Sequence, residues 1–302
     1  KSTTGFTSDK SAQFAATATS IPDPVGSYGV IMTGGQSNMD QHFGSLSQTA
    51  EGRSYQKIID GVTTGLGRSP GDITIINGAT GGSAAEYRAR PSWFPTGWWI
   101  NTVTNADGPM LTAWIAKYNA LPANTNVIGV IWAQGEADVT ANSADVNTST
   151  PAMYKVALEA IFARMRAVVG NLNLKIWIQP LAISYWNYGA NGLDIIGNIY
   201  EAYRDQQIAV ASEQDNTYIG AWKPNITYDS FVQEYDGSTP IAGRIHYTPA
   251  EYHALATQLG QSIGSNADQI NVRPAWASLR SPTNLTAAFD ASNNITATWD
   301  AR

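Results

Sequence analysis

The stretch Tyr28-Gly29-Val30-Ile31-Met32-Thr33-Gly34-Gly35-Gln36-Ser37-Asn38-Met39 decides how the chain is read. A short apolar run without polar alternation predicts a strand buried on both faces, as parallel strands are. A glycine pair ends the run, and a polar Gln-Ser-Asn follows. Ser37 then stands on the turn between strand end and helix start. Its hydroxyl would be exposed there, with backbone N–H groups nearby to bind an oxyanion. This is not the G-x-S-x-G elbow, because Met39 occupies the position of the second glycine. Taken alone, a glycine-rich turn with Ser37 as a helix N-cap is the simpler reading.

Working outward, four more runs have the same character, at 73–77, 127–132, 174–179 and 217–222. Each is short, rich in β-branched or aromatic residues and bounded by Gly, Asn or Pro. Helical patterns lie between them. Leu111, Trp114, Ile115, Tyr118 and Leu121 share one helical face. Residues 153–169 and 194–212 also read as amphipathic helices. A last helix opens at Thr248-Pro249-Ala250-Glu251, with a Thr cap, Pro in the first turn and Glu at the third position. Tyr252, Ala256, Leu259 and Ile263 form its buried stripe. This alternation predicts an α/β fold in three layers, an open, mostly parallel five-stranded sheet with helices on both faces. In such sheets ligands sit beyond the carboxyl ends of the strands.

The expected organisation is an N-terminal linker or arm over 1–26, a main domain over 27–280, and the start of a C-terminal β module over 281–302. The arm is rich in Ser, Thr and Ala. In the tail, Ile295, Ala297 and Trp299 alternate as in a strand, and the segment resembles the opening of a fibronectin type III module. Two strands fall short of a sandwich, so a longer parent chain is expected.

Composition narrows the partners. The 302 residues contain no cysteine, which removes thiol nucleophiles and cysteine-held metals. The net charge is -6 with scattered Lys and Arg, so a nucleic-acid surface is not expected. No apolar run is long enough for a membrane span, and no signal peptide is seen. The 10 Trp and 14 Tyr suit sugar stacking, although core packing is the commoner use of either residue.

Three further segments fall at predicted strand ends. Asn77-Gly78-Ala79-Thr80-Gly81-Gly82-Ser83 allows close backbone approach to a ligand, and alone is a plain turn. Gln134-Gly135-Glu136-Ala137-Asp138 carries an amide at a strand tip and two carboxylates. Their spacing is too close to flank a glycosidic bond, and a solvated turn or N-cap is equally open. His246 precedes the last helix. It is the one histidine positioned to meet Ser37 from the far end of the chain, whereas His42 directly follows the serine motif and His253 lies within the helix. A His base beside a Ser makes the hydroxyl a nucleophile near neutral pH.

Taken together, Gly35-Gln36-Ser37-Asn38-Met39, Gly81-Gly82-Ser83, Gln134-Gly135-Glu136 and His246 resemble the SGNH/GDSL hydrolase superfamily. The likeness is greatest to its sialate O-acetylesterase-like and acetylxylan-esterase-like branch, and it spans roughly 28–267. The resemblance implies the flavodoxin-like SGNH fold and a serine esterase that removes O-acetyl groups from a carbohydrate, with no metal or organic cofactor. It implies Ser37 as nucleophile and His246 as base. The oxyanion hole would comprise the Ser37 N–H, the Gly82 N–H and the Gln134 side chain.

One position departs from the superfamily. An Asp often stands three residues before the His, and here that residue is Gly243. Glu136 is the preferred substitute to orient the imidazole. Asp138, Asp236 or a backbone carbonyl near residues 243–245 remain open. Trp93, Trp98 and Trp99 in one aromatic loop, and Trp186 with Tyr185 and Tyr188 in another, are candidates to stack sugar rings. A non-catalytic carbohydrate- or receptor-binding module on the same fold is the alternative function, and a lipase or thioesterase a third. The arm and tail suggest an extracellular setting, either a phage tail protein or a secreted bacterial esterase.

Overall fold

The computed structural model describes residues 29–143, 149–182, 193–222, 231–232, 235–236, 239–240, 246–266, 283–289 and 295–300. The proposed arm over 1–26 and Tyr185, Trp186 and Tyr188 lie outside them.

Strand β1 (Gly29–Gly35) leads into a one-turn helix α1 (Ser37–Asp40), then α2 (Tyr55–Leu66) and β2 (Ile73–Ile76). Three short strands follow: β3 (Ala84–Glu86), β4 (Trp98–Asn101) and β5 (Ala106–Asp107). Next come α3 (Pro109–Asn119), β6 (Val127–Ala133), α4 (Glu136–Ser143), α5 (Pro151–Val169), β7 (Lys175–Ile178), α6 (Leu193–Glu213) and β8 (Thr217–Ile219). The chain then forms β9 (Tyr235–Asp236), β10 (Thr239–Pro240), α7 (Pro249–Ser265), β11 (Thr283–Phe289) and β12 (Ile295–Asp300).

The central sheet has the order β2-β1-β6-β7-β8, with every neighbouring pair parallel. All five of its strands are those expected from their apolar runs. Alternate residues feed opposite layers. Val30, Met32, Val130, Trp132, Ile176 and Ile178 join the core beneath α3, α5 and α6. Ile31, Ile131 and Trp177 join the core beneath α2 and α7. The fold is therefore three-layered, as the sequence predicts.

From β1 the chain steps to β2 on one side of the sheet, and later enters β6 on the other. The carboxyl ends of β1 and β6 thus flank the topological switch point, where open α/β sheets hold ligands.

Two features were not foreseen. Helix α2 is broken up in sequence by Gly61 and Gly65, which face Gly260 and Gly264 of α7. A Cβ on Gly65 would lie 2.5 Å from the Gly264 backbone. The strands β3, β4 and β5 form a second small sheet, so part of the aromatic loop is strand rather than loop. In the tail, where strands were expected, β11 and β12 pair antiparallel.

Candidate active site

Ser37 opens α1, directly past the end of β1, and is 7% exposed. The turn that delivers it depends on Gly35, whose φ is 115° and whose added Cβ would lie 2.0 Å from the Ala133 carbonyl oxygen. Only glycine fits so strained a backbone so close to its neighbour. The Gln36 N–H donates to the Ala133 carbonyl at 2.9 Å, which ties the serine turn to the end of β6. The α1 ladder starts with Met39 and Asp40 N–H donating to the Gln36 carbonyl. The Ser37 N–H lies ahead of that ladder, among the first-turn donors that a helix leaves unsatisfied.

The second glycine segment is anchored to the same carbonyl. The Thr80 N–H and the Ser83 hydroxyl both donate to the Gly35 oxygen, at 3.1 and 3.2 Å. Gly82 follows in the left-handed region at φ 72°. This brings the Gly82 segment beside the serine turn.

The third segment crosses from β6 into α4. Gln36 links it to the serine turn. Its Oε1 accepts from the Gly135 N–H at 3.4 Å and from the Ala137 N–H at 3.2 Å, capping the start of α4. This bridging role of Gln36 was missed, because its partners are remote in sequence. Gln134 is buried, and its Nε2 donates to Asp138, to the Ser83 carbonyl at 3.2 Å and to Gln36 Oε1 at 3.4 Å. Its amide hydrogens are therefore engaged with protein acceptors. In this geometry Gln134 braces the three segments against one another.

The carboxylates divide by task. Asp138 accepts from the Ala85 N–H at 2.8 Å and the Glu86 N–H at 3.3 Å, so it holds β3 rather than a histidine. Burial pushes its carboxyl up to about 7, against the pull of these donors. Glu136 is 5% exposed and accepts a hydrogen bond from Asn38 Nδ2. Asn38 in turn accepts from the Tyr252 hydroxyl at 2.8 Å. Burial raises the Glu136 carboxyl, while Asn38 and the nearby His246 oppose the rise.

His246 is carried by the segment before α7. Its carbonyl accepts from the Val232 N–H at 2.9 Å, and Tyr247 bridges Phe231. Among the described residues, Glu136 and Asp40 are carboxylates within electrostatic reach of it. Asp40 is the second residue that sequence reasoning missed. It lies one turn beyond Ser37 on α1 and accepts from Asn77 Nδ2 at 2.6 Å. Burial raises its carboxyl, and Asn77, Lys117 and His246 pull it back. Asp236 falls in β9, paired with Thr239.

The other histidines are structural. His42 is fully buried between the Ser54 hydroxyl at 2.8 Å and Gln179 Oε1 at 3.0 Å, and burial lowers its pKa to about 4. The Nε2 of His253 meets the Ser47 carbonyl at 2.9 Å.

The aromatic candidates separate as well. Trp99 is fully buried, packs edge-on against Trp132 and donates to the Ser83 hydroxyl at 3.0 Å, so it belongs to the core and offers no face to a ligand. Trp98 is partly buried, edge-on to Tyr87. Trp93 is 71% exposed. Among the described residues, no cluster of three or more metal-binding side chains is found.

No protein-family model matches the chain. Among solved structures, a carbohydrate acetylesterase from Xanthomonas citri aligns at a TM-score of 0.50 with 18% identity, over 79% of this chain and 57% of that one. The chain thus spans little more than half the length of that protein. NanS aligns at 0.49 with 12% identity, over 80% of this chain and 98% of that one. A catalytic mutant of Axe2, an acetylxylan esterase from Geobacillus stearothermophilus, aligns at 0.46 with 15% identity, over 80% and 96%. The likeness is one of fold: the chain carries the three-layer α/β fold of the SGNH hydrolases.

Proposed function

We propose that this chain is a serine esterase that removes O-acetyl groups from a carbohydrate. One observation carries the reading. Ser37, the Gly82 segment and the Gln134–Glu136 segment converge on the β1–β6 switch point, and His246 comes within electrostatic reach of Glu136 from the other end of the chain. The acetyl ester and the carbohydrate follow from the resemblance of the motifs, and from the acetylesterase that shares the fold.

In the proposed reaction Ser37 Oγ attacks the ester carbonyl while His246 takes the hydroxyl proton. The Ser37 and Gly82 N–H groups hold the developing oxyanion. The tetrahedral intermediate collapses by breaking the bond to the sugar oxygen, which leaves with the proton from His246. Water, deprotonated by the same imidazole, then attacks the acyl-enzyme and releases acetate. Glu136 steadies His246 in the tautomer that leaves Nε2 able to accept a proton. No step calls for a cofactor. An extracellular or virion-borne setting belongs to the same proposal, on the strength of the Ser/Thr/Ala-rich arm and the tail hairpin.

The test is hydrolysis of p-nitrophenyl acetate by wild type beside Ser37→Ala. Turnover by the wild type and background rates for the variant are expected. Equal background rates with a folded wild type, repeated across acetylated glycans, would overturn the esterase and favour a binding module on this fold.

A further inference from the structure

We infer that the exposed indole of Trp93 is the platform on which a pyranose ring stacks while its acetyl group enters the Ser37 site; this rests on the esterase reading above.

Three observations place the platform. First, Trp93 is 71% exposed, while its neighbour Phe94 stacks on it with ring centroids 5.8 Å apart and planes 17° from parallel. Phe94 thus lies nearly parallel to the indole, most of whose surface is open to solvent. A Trp side chain has only two χ angles, so it offers a large contact area with little loss of freedom on binding. Second, the indole rim lies against Gly82. A Cβ built on Gly82 would lie 2.3 Å from Trp93 Cη2 and 3.1 Å from Cζ2. Gly82 thus answers two demands, its positive φ and the room taken by the indole. Third, the segment bearing Gly82 hangs from the Gly35 carbonyl, two residues before Ser37. A ring seated on Trp93 is consequently beside Gly82, the residue that would bind the oxyanion.

The chemistry of the occupant follows from the surface. An indole face gains by covering an apolar patch of C–H groups and offers no charge. A pyranose has such a patch on one face and hydroxyls around its rim. The neighbouring aromatics do not compete for it, since Trp99 is core and Trp98 leans on Tyr87. The acetyl group would therefore be carried on the stacked ring itself.

The experiment compares wild type, Trp93→Ala and Trp93→Phe on two substrates, p-nitrophenyl acetate and a peracetylated methyl xylopyranoside. The inference expects Trp93→Ala to lose about tenfold in kcat/KM on the sugar ester, mostly through KM, and little on the aryl ester. Trp93→Phe should recover much of the loss. An equal loss on both substrates would overturn it, making Trp93 a prop for the Gly82 segment. No loss on either would overturn it too. Activity of wild type on the aryl ester, lost in Ser37→Ala, tests the esterase separately, so the two ideas can fail independently.

Discussion

At the scale of single residues, Glu136 and Asp40 both lie within electrostatic reach of His246, and each is a candidate for the orienting role in the proposed reaction. Glu136 is buried, anchored by Asn38 and raised by burial, and Asp40 is partly buried and anchored by Asn77. A buried carboxylate facing an imidazole stabilises the cation formed when the base takes its proton, because little water screens the pair. Glu136 is the more buried of the two. Glu136→Gln, which can still accept from Asn38, is therefore expected to cut kcat by about a hundredfold or more with KM nearly unchanged, the range associated with a working general base. Asp40→Asn should cost far less. The reverse ranking in steady-state kinetics would transfer the orienting role to Asp40. The positions of Ser37 and His246 at the edge of the sheet were legible in the sequence, because each sits in a short motif next to an element that the apolar pattern predicts. Asp40 carried only its spacing from Ser37, and Gln36 only its place next to it. Their tasks depend on Asn77, Gly135 and Ala137, which fold brings near and sequence keeps far.

At the scale of elements, the strands were legible and one helix was not, for a physical reason. A parallel strand buried on both faces is a continuous apolar run, and each of the five reads as one. Helix α2 buries Ile58, Ile59 and Val62, yet Gly61, Thr63, Thr64 and Gly65 interrupt its stripe. The glycines are there for packing. A Cβ on Gly61 would lie 2.6 Å from the Gly260 backbone, so α2 and α7 meet backbone to backbone. This yields a prediction whose sign is informative. Alanine is favoured over glycine in a helix by about 1 kcal/mol. Crowding a close-packed contact costs about 1–3 kcal/mol. Gly61→Ala is therefore expected to lower the midpoint of chemical denaturation despite its better helix propensity. A raised midpoint would mean that the two helices separate at little cost. Since α7 also carries Tyr252, which holds Asn38 by Glu136, separation of the helices should reach the site as well.

At the scale of the whole molecule, buried ionisable groups make stability depend on pH in opposing ways. His42 has a folded pKa of about 4, below its unfolded 6.5. Under pH 6.5 the unfolded chain binds more protons at this residue, so its contribution falls as pH drops from 6.5 toward 4. Asp138 has a folded pKa of about 7, against 3.8 for the same group unfolded. Between those values the folded state binds the extra proton, so stability from Asp138 is gained as pH falls from 7 toward 4, and the penalty of a buried charge returns above 7. Each effect is on the order of 3–4 kcal/mol at most, by the free energy of a unit shift. They partly cancel, so a stability profile of the wild type alone would conceal both. Asp138→Asn isolates one. The amide can still accept from the Ala85 N–H, and it carries no charge to bury. Relative to wild type, its melting temperature should therefore be most favourable at pH 8 and lose that advantage by pH 5. A difference that instead widens in favour of the variant on acidification would mean that Asp138 stays ionised in the fold. Its three donors would then outweigh burial, and the link it makes between Gln134 and β3 would be that of a charged brace.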